Sequence, residues 1–528
     1  MMVTGRSDSA DCGRGGGEQG EVIAFLASSD AYPLRPSPVA RCETHAALVF
    51  LAGEEAYKIK RAVRFDYLDF STLELRRRVI EREAEVNRRF APDIYLGVVP
   101  ITRQSDGSLA IGGGGTPVEW ALHMRRFSQD DVLSAVADRG ALTCDLATRL
   151  ADVVADAQVR LEPVTCRNGA ARIAAALSQV ETALAVSPGH APSRVEVFRG
   201  LAGARLASAS AVLDARAVEG YVRRCHGDLH LSNIVLWRGE PVLFDAIEFS
   251  EELATIDVLY DLAFLLMDLD ARGAGEAANR VLNRYLARRI GPHDIEGLAA
   301  LPLFLSLRAG IRAMVNAQRS EQETGAARER DIERAKAYLE RAIAYLSPKA
   351  QVLIAVGGFS GTGKSTLSAR LAPLVGAAPG ALHIRADVER KALFGVDEAV
   401  RLDAAAYRND VSARVYAVMY EKAARALRAG HSAMLDGVFA RPSDRKAAEA
   451  IARAAGTPFE GLWLQTSEEV MLRRVSARTG DASDATPQVV AAQLAAGAGV
   501  IDWSLVEAGG VPEATLAAAC GIVSAHLR

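Results

Sequence analysis

Eight consecutive residues, Gly358-Phe359-Ser360-Gly361-Thr362-Gly363-Lys364-Ser365, have the form GxxxxGK[ST], a spacing that binds phosphate. Gly358, Gly361 and Gly363 free the backbone to turn inward. The amides of Ser360, Thr362 and their neighbours can then cradle phosphate oxygens. Lys364 is expected to reach the β- and γ-phosphates, Ser365 to hold Mg²⁺, and Thr366 to extend the contacts. The loop works only between a strand and a helix. The apolar run QVLIAV (351–356) supplies the strand. A helix starting near Lys364 adds the positive end of its dipole.

Three further groups follow. Asp436 ends the strand-like HSAMLD, where a carboxylate supports a Mg²⁺ shell; the alternative is an Asp that caps a loop. Asp387 ends the strand-like LHIRAD and precedes the helical VERKALFG. It is read either as the acceptor of a proton from a substrate hydroxyl, with Arg390 steadying an anionic group, or as the helix N-cap. Arg473, Arg474 and Arg478 fall on a predicted helix ended by Thr479-Gly480-Asp481. Arg474 and Arg478 are four apart and share a face, so both can act as lid residues over transition-state charge; the alternative is an ordinary basic surface.

In the first half, His226-Gly227-Asp228-Leu229-His230-Leu231-Ser232-Asn233 puts an Asp and an Asn five residues apart. A kinase catalytic loop has that spacing: the Asp orients and deprotonates the acceptor hydroxyl, and the Asn binds a metal ion. Asp245, in PVLFDAIEF, is where a second metal carboxylate is needed.

HGD in place of HRD, and Asp-Ala-Ile in place of Asp-Phe-Gly, resemble the aminoglycoside phosphotransferase and choline kinase branch of the kinase-like fold. The resemblance implies a strand Lys on the α- and β-phosphates paired with a helix Glu. Lys58 in AYKIK is chosen, with Lys60 the competitor on the same strand face. Glu83 is chosen as its partner, with Glu85 next. Asp257 and Asp261 brace the loop. A Gly-rich covering loop is missing, its place taken by Thr44-His45-Ala46-Ala47. The second half resembles the small P-loop kinases: gluconate kinase, the zeta-toxin group and the kinase module of polynucleotide kinases. GGFSGTGKST, RADVERKALFG, LDGVFARPSDR and RRVSARTGDASDA carry that likeness. It implies that Asp387 activates the acceptor hydroxyl. Together the halves resemble bacterial proteins that fuse an aminoglycoside phosphotransferase-like domain to a P-loop ATPase or kinase domain.

The positioning elements agree. Residues 45–60 read as two strands around Gly53, 71–90 as a helix, 94–127 as strands split by Gly112–Gly115, and 130–220 and 255–346 as helices. From 351 onward strands and helices alternate, as in a three-layer sandwich. The expected fold is an α+β two-lobed protein-kinase-like domain (21–347) followed by an α/β three-layer P-loop NTPase domain with a parallel sheet (348–528). Residues 1–20, rich in Gly, Ser and Asp, are expected to be a disordered tail without a signal peptide.

Among 528 residues, a formal net charge of −3 disfavours nucleic acid as the main partner. Six scattered cysteines without a CxxC pair suit free thiols in a cytoplasmic protein, and no run spans a membrane. The leading expectation is a bifunctional small-molecule kinase with ATP and Mg²⁺ in each domain and a small hydroxyl-bearing acceptor. The alternatives are a regulatory ATPase whose kinase-like domain is a sensor or partner module, and a polynucleotide 5′-kinase-like protein. The sequence names neither acceptor nor oligomeric state.

Overall fold

Short apolar strands joined by tight turns build an antiparallel sheet. In the computed structural model, which describes residues 18–44, 46–65, 68–187, 189–289, 291–477 and 482–528, six strands pair. They are β1 (Ala40–Glu43), β2 (Ala47–Ala52), β3 (Glu55–Lys60), β4 (Tyr95–Arg103), β5 (Leu109–Ile111) and β6 (Thr116–Arg125). Their order is β1-β2-β3-β6-β4-β5. The turn between β2 and β3 uses Gly53, whose φ of 63° favours glycine. Helix α1 (Glu18–Ala27) adds Val22 and Leu26 to a cluster with Phe50, Tyr57, Ile59, Ile101 and Ala121. Helix α2 (Leu73–Arg88) adds Ile80 and Ala84 to a second cluster with Ile94, Tyr95 and Leu122. Of the expected tail 1–20, residues 1–17 lie outside the described residues, and Glu18–Gly20 already open α1.

The chain divides into two compact units. The first holds this sheet, residues 156–164 and residues 221–265, including the antiparallel hairpin β7 (Ile234–Trp237) and β8 (Glu240–Leu243). The second joins residues 143–155, 165–220 and 266–528. Its helices include α3 (Gly169–Val186), α4 (Pro192–Val218), α5 (Gly275–Arg288), α6 (Leu301–Gln322) and α7 (Gly325–Leu346).

Beyond α7 comes a five-stranded parallel sheet: β9 (Leu353–Gly357), β10 (Leu382–Arg385), β11 (Ala433–Asp436), β12 (Phe459–Gln465) and β13 (Ser504–Glu507), in the order β10-β11-β9-β12-β13. Every residue of β9 is buried, as expected of a central parallel strand. Helices α8 (Lys364–Leu371), α9 (Ala386–Leu393), α10 (Asn409–Arg428), α11 (Pro442–Ala454), α12 (Glu468–Ser476), α13 (Pro487–Ala496) and α14 (Pro512–Ile522) complete this part. Leu367 and Leu371 of α8 and Ala519 of α14 share one core with Ile354, Val356, Leu462 and Val506.

One local expectation changes, and one strand is new. β10 ends at Arg385, so Asp387 lies in the first turn of α9 rather than at the strand end. β13 was not foreseen, because Ser504–Glu507 is a short edge strand with a single buried residue, Val506.

Candidate active sites

Residues of β3 alternate, so Lys58 and Lys60 emerge on one face toward α2. There they meet the same carboxylate. Glu83 accepts from Lys58 Nζ at 2.6 Å and pairs with Lys60 Nζ at 2.8 Å through its other oxygen. Lys58 also donates to Asp245 (3.1 Å), and Lys60 to Glu248 (2.7 Å). Glu85, the alternative to Glu83, is exposed and pairs with Arg82 and Arg89. Burial opposes the charge on Lys58, but Asp245, Glu83 and Glu248 outweigh it and raise its pKa well above the usual value. Burial likewise raises Asp245, yet Lys58 outweighs it and holds the carboxyl at about 2.

Asp245 has φ 59°, uncommon for a residue with a Cβ. Neighbours hold it there. Its N–H donates to the Tyr95 hydroxyl (3.0 Å), and Asn87, one turn beyond Glu83, receives the next N–H, of Ala246, at 2.8 Å. The loop 226–233 is braced in the same way. Asp261 accepts from the Gly227 amide (2.9 Å) and from Gln158 (3.2 Å), the bracing role expected of it. Asn233 Nδ2 donates to the Asp228 backbone oxygen and to its carboxylate, both at 2.9 Å, so its Oδ1 is the atom that remains for a metal ion. His230 Nε2 lies 3.4 Å from the Asp228 carboxylate. Burial pushes Asp228 up, but His230 and hydrogen bonding outweigh it and hold it well below the ordinary carboxylate range. Lys58, Glu83, Asp228, Asn233 and Asp245 thus lie within one compact unit. Glu248, Tyr95, Asn87 and His230 were missed; for Glu248 the acidic spacing Asp245…Glu248 was the available signal.

In the second unit the loop 358–365 joins β9 to α8. Gly363, at φ 98°, caps α8 in the left-handed region. A Cβ on Gly361 would sit 2.6 Å from the Met471 backbone oxygen, which excludes a larger residue there. Lys364 Nζ donates to Phe359 O (3.0 Å), the Ser360 amide to Gln493 (2.8 Å), and Arg474 to Thr362 O (3.1 Å). Arg474 therefore reaches the loop itself. Its expected companion Arg478 lies outside the described residues.

Asp436 ends β11 beside that loop. Burial raises its pKa, but the His383 hydrogen bond, Arg385 and Lys364 outweigh it and hold the carboxyl at about 2. His383 Nε2 is 3.3 Å away and donates to this ionised carboxylate; burial lowers the pKa of the ring. Asp387 behaves oppositely: burial pushes its carboxyl up, partly offset by Arg385, while a Ser483 hydrogen bond also acts on it. The N-cap position of α9 is Arg385, not Asp387.

Both carboxylates line a cavity of ≈ 550 Å³ together with Lys364, Ser365, Arg385, Arg390, Arg401 and Arg441. Asp484 ties the walls of this cavity, accepting from Lys391 (2.7 Å), Tyr407 (2.6 Å) and the Leu402 amide (3.0 Å). A second cavity of ≈ 370 Å³ touches Gly361–Gly363 and is lined by Thr366, Arg370, Arg474, Ala508, Pro512 and Thr515. His383, Asp484 and Gln493 were missed. The alternation His383, Arg385, Asp387 offered a signal for the first.

A Mg²⁺ ion at such a loop keeps phosphate and water ligands and needs only one or two protein groups. Ser365 with ionised Asp436, and Asn233 with ionised Asp245, suit that need. Among the described residues, no group of three or more His, Cys, Asp or Glu side chains could hold a metal unaided.

Two family models match this chain. Residues 67–301 match the model of the phosphotransferase enzyme family, and 353–498 match an AAA domain. Uncharacterized proteins of Mycobacterium tuberculosis (strain ATCC 25618 / H37Rv) and Mycobacterium bovis (strain ATCC BAA-935 / AF2122/97) are each 33% identical over 487 residues, covering 90% of this chain and 93% of theirs. The chain belongs to their family. A choline/ethanolamine kinase family protein from Mesorhizobium loti is 15% identical, with 62% of this chain and 99% of that chain covered and a TM-score of 0.37. This chain joins a kinase-like α+β domain to an α/β P-loop domain. With its first half matched by a phosphotransferase family and its second by an AAA domain, the protein is an ATP-dependent phosphotransferase or ATPase. Among the described residues, no helix is long and apolar enough to cross a membrane.

Proposed function

We propose that the protein is a bifunctional small-molecule kinase with one Mg²⁺·ATP site in each domain, each transferring phosphate to a hydroxyl. One observation carries the reading for the second site: the phosphate loop separates two cavities of different character. The ≈ 370 Å³ cavity beside Arg474 has room for a nucleoside, and the ≈ 550 Å³ cavity holds Asp387 and four arginines. A γ-phosphate on Lys364 would lie between them. Asp387 accepts the proton of an acceptor hydroxyl, and the arginines favour an acceptor with anionic or strongly polar groups. Ser365 and Asp436 hold the Mg²⁺, which neutralises charge on the phosphates.

In the first domain Lys58, oriented by Glu83, takes the α- and β-phosphates. Asn233 and Asp245 hold metal, and Asp228 is the base. The Lys58–Asp245 contact joins the two groups that act on the nucleotide and its metal, which supports assigning Lys58 rather than Lys60. The test is a screen of sugars, amino sugars, nucleosides and aminoglycosides for acceptor-dependent ADP release. Release that no hydroxyl compound accelerates, with steady hydrolysis of ATP, would favour the regulatory ATPase instead.

A further inference from the structure

Strand β10 is an edge strand, bonded among the described residues only to β11. An exposed edge presents unpaired backbone groups, which water can satisfy. Here two asparagines of α5, in the same compact unit, take that place. Asn283 Oδ1 accepts from the His383 amide at 2.7 Å. Asn283 Nδ2 and Asn279 Nδ2 donate to Ala381 O at 3.4 and 3.1 Å. Asn283 also donates to Asn279 Oδ1 (3.0 Å), which orients both amides, and Asn279 is only 3% exposed. Ion pairs fasten the same region: Arg284 with Asp152 (2.6 Å) and Glu398 (2.5 Å), and Arg425 with Glu296 (2.7 Å).

Two links run from the clamped strand into the phosphate site. The His383 ring donates to Asp436, and four residues further along the chain stands Asp387. We propose that Asn283, supported by Asn279, is a positioning residue for the P-loop site. It fixes β10 so that His383 holds Asp436 and Asp387 faces the cavity. Helix α5 lies inside the region matched by the phosphotransferase family, so a helix of that region serves the P-loop site although both lie in the second compact unit. This inference rests on the reading of Asp436 as the metal carboxylate.

The experiment uses the full chain and titrates ADP by calorimetry with and without Mg²⁺, taking the second site as the one that Lys364→Ala removes. Asn283→Leu should cut the Mg²⁺-dependent gain in ADP affinity about 10–100-fold, the usual effect of removing an outer support of a metal ligand. Metal-free ADP affinity should stay the same. Amide exchange of residues 381–387 should quicken without nucleotide or metal. Asn283→Asp, which keeps the acceptor for the His383 amide, should recover much of the gain. If Asn283→Leu does not fold, Asn283→Asp and Asn279→Ala decide by the same measure, Asn279→Ala showing the larger loss. An unchanged Mg²⁺ gain, or a metal-free affinity that falls in proportion, overturns the inference while leaving the kinase reading intact. A wild-type site indifferent to Mg²⁺ overturns the role of Asp436 and the inference with it.

Discussion

Glu83 Oε1 lies 2.6 Å from Lys58 Nζ, and the second oxygen of Glu83 lies 2.8 Å from Lys60 Nζ, so one buried carboxylate serves two lysines. The lysines then part company, Lys58 to Asp245 and Lys60 to Glu248. We propose that Lys58 binds phosphate and Lys60 supports it.

Lys58→Met should therefore abolish nucleotide binding at the first site, whereas Lys60→Met should weaken it only modestly. Both should lower stability, since each leaves a buried carboxylate short of a partner. Loss of one partner from a buried pair costs about 3–5 kcal/mol, and the remaining lysine brings these variants toward the lower end. Nucleotide titration and urea unfolding of the two variants check this. Equal loss of binding would make Lys60 a ligand as well.

Asp228→Asn, in a chain carrying Lys364→Ala, should slow transfer to an identified acceptor by about 10²–10⁴-fold while sparing ATP affinity. The amide keeps the volume and removes the proton acceptor. Asn233 donates to this carboxylate at 2.9 Å, so collapse of nucleotide binding would instead mean that Asp228 itself holds metal.

His431 is 2% exposed and donates to Gly380 O at 3.0 Å; burial lowers its pKa to about 4. Above pH ~6.5 the ring is neutral in folded and unfolded chains alike. Below that, the unfolded chain takes up a proton that the folded chain refuses until about pH 4. Stability should therefore fall as pH drops through this window, by about 3 kcal/mol in all. Denaturant midpoints of wild type and His431→Gln should converge toward pH 4. Parallel curves would mean that His431 titrates normally.

Much of both sites was legible in the sequence, because short motifs fix backbone and chemistry together. The run 358–365 needs its glycines, and the pair Asp228 and Asn233 needs its five-residue spacing. The choice between Lys58 and Lys60 was not legible, since period-two alternation puts both on one face and only Asp245 separates them. His383 and Asn283 were invisible for another reason. They are 100 residues apart, and their pairing depends on which strand becomes the sheet edge. The sequence boundary near 347–350 likewise said nothing of the contacts that α5 makes with β10.

We propose 348–528 as a separate domain, and limited proteolysis tests the boundary. Pro348, Lys349 and Ala350 are exposed, so cutting should occur near 345–352. The fragments should stay together after cutting, held by the Asn283, Arg284 and Arg425 contacts. Resistance to cutting there, or immediate separation of the fragments, would contradict this arrangement.

We propose that one chain holds two working nucleotide sites. Equilibrium binding of a non-hydrolysable ATP analogue with Mg²⁺ tests it directly. Lys364 and Lys58 each serve a different site, so wild type should bind two analogues per chain. Lys364→Ala and Lys58→Met should bind one each, and the double variant none. A single analogue per wild-type chain, lost completely with Lys364→Ala, would contradict the account and leave the first domain without a nucleotide.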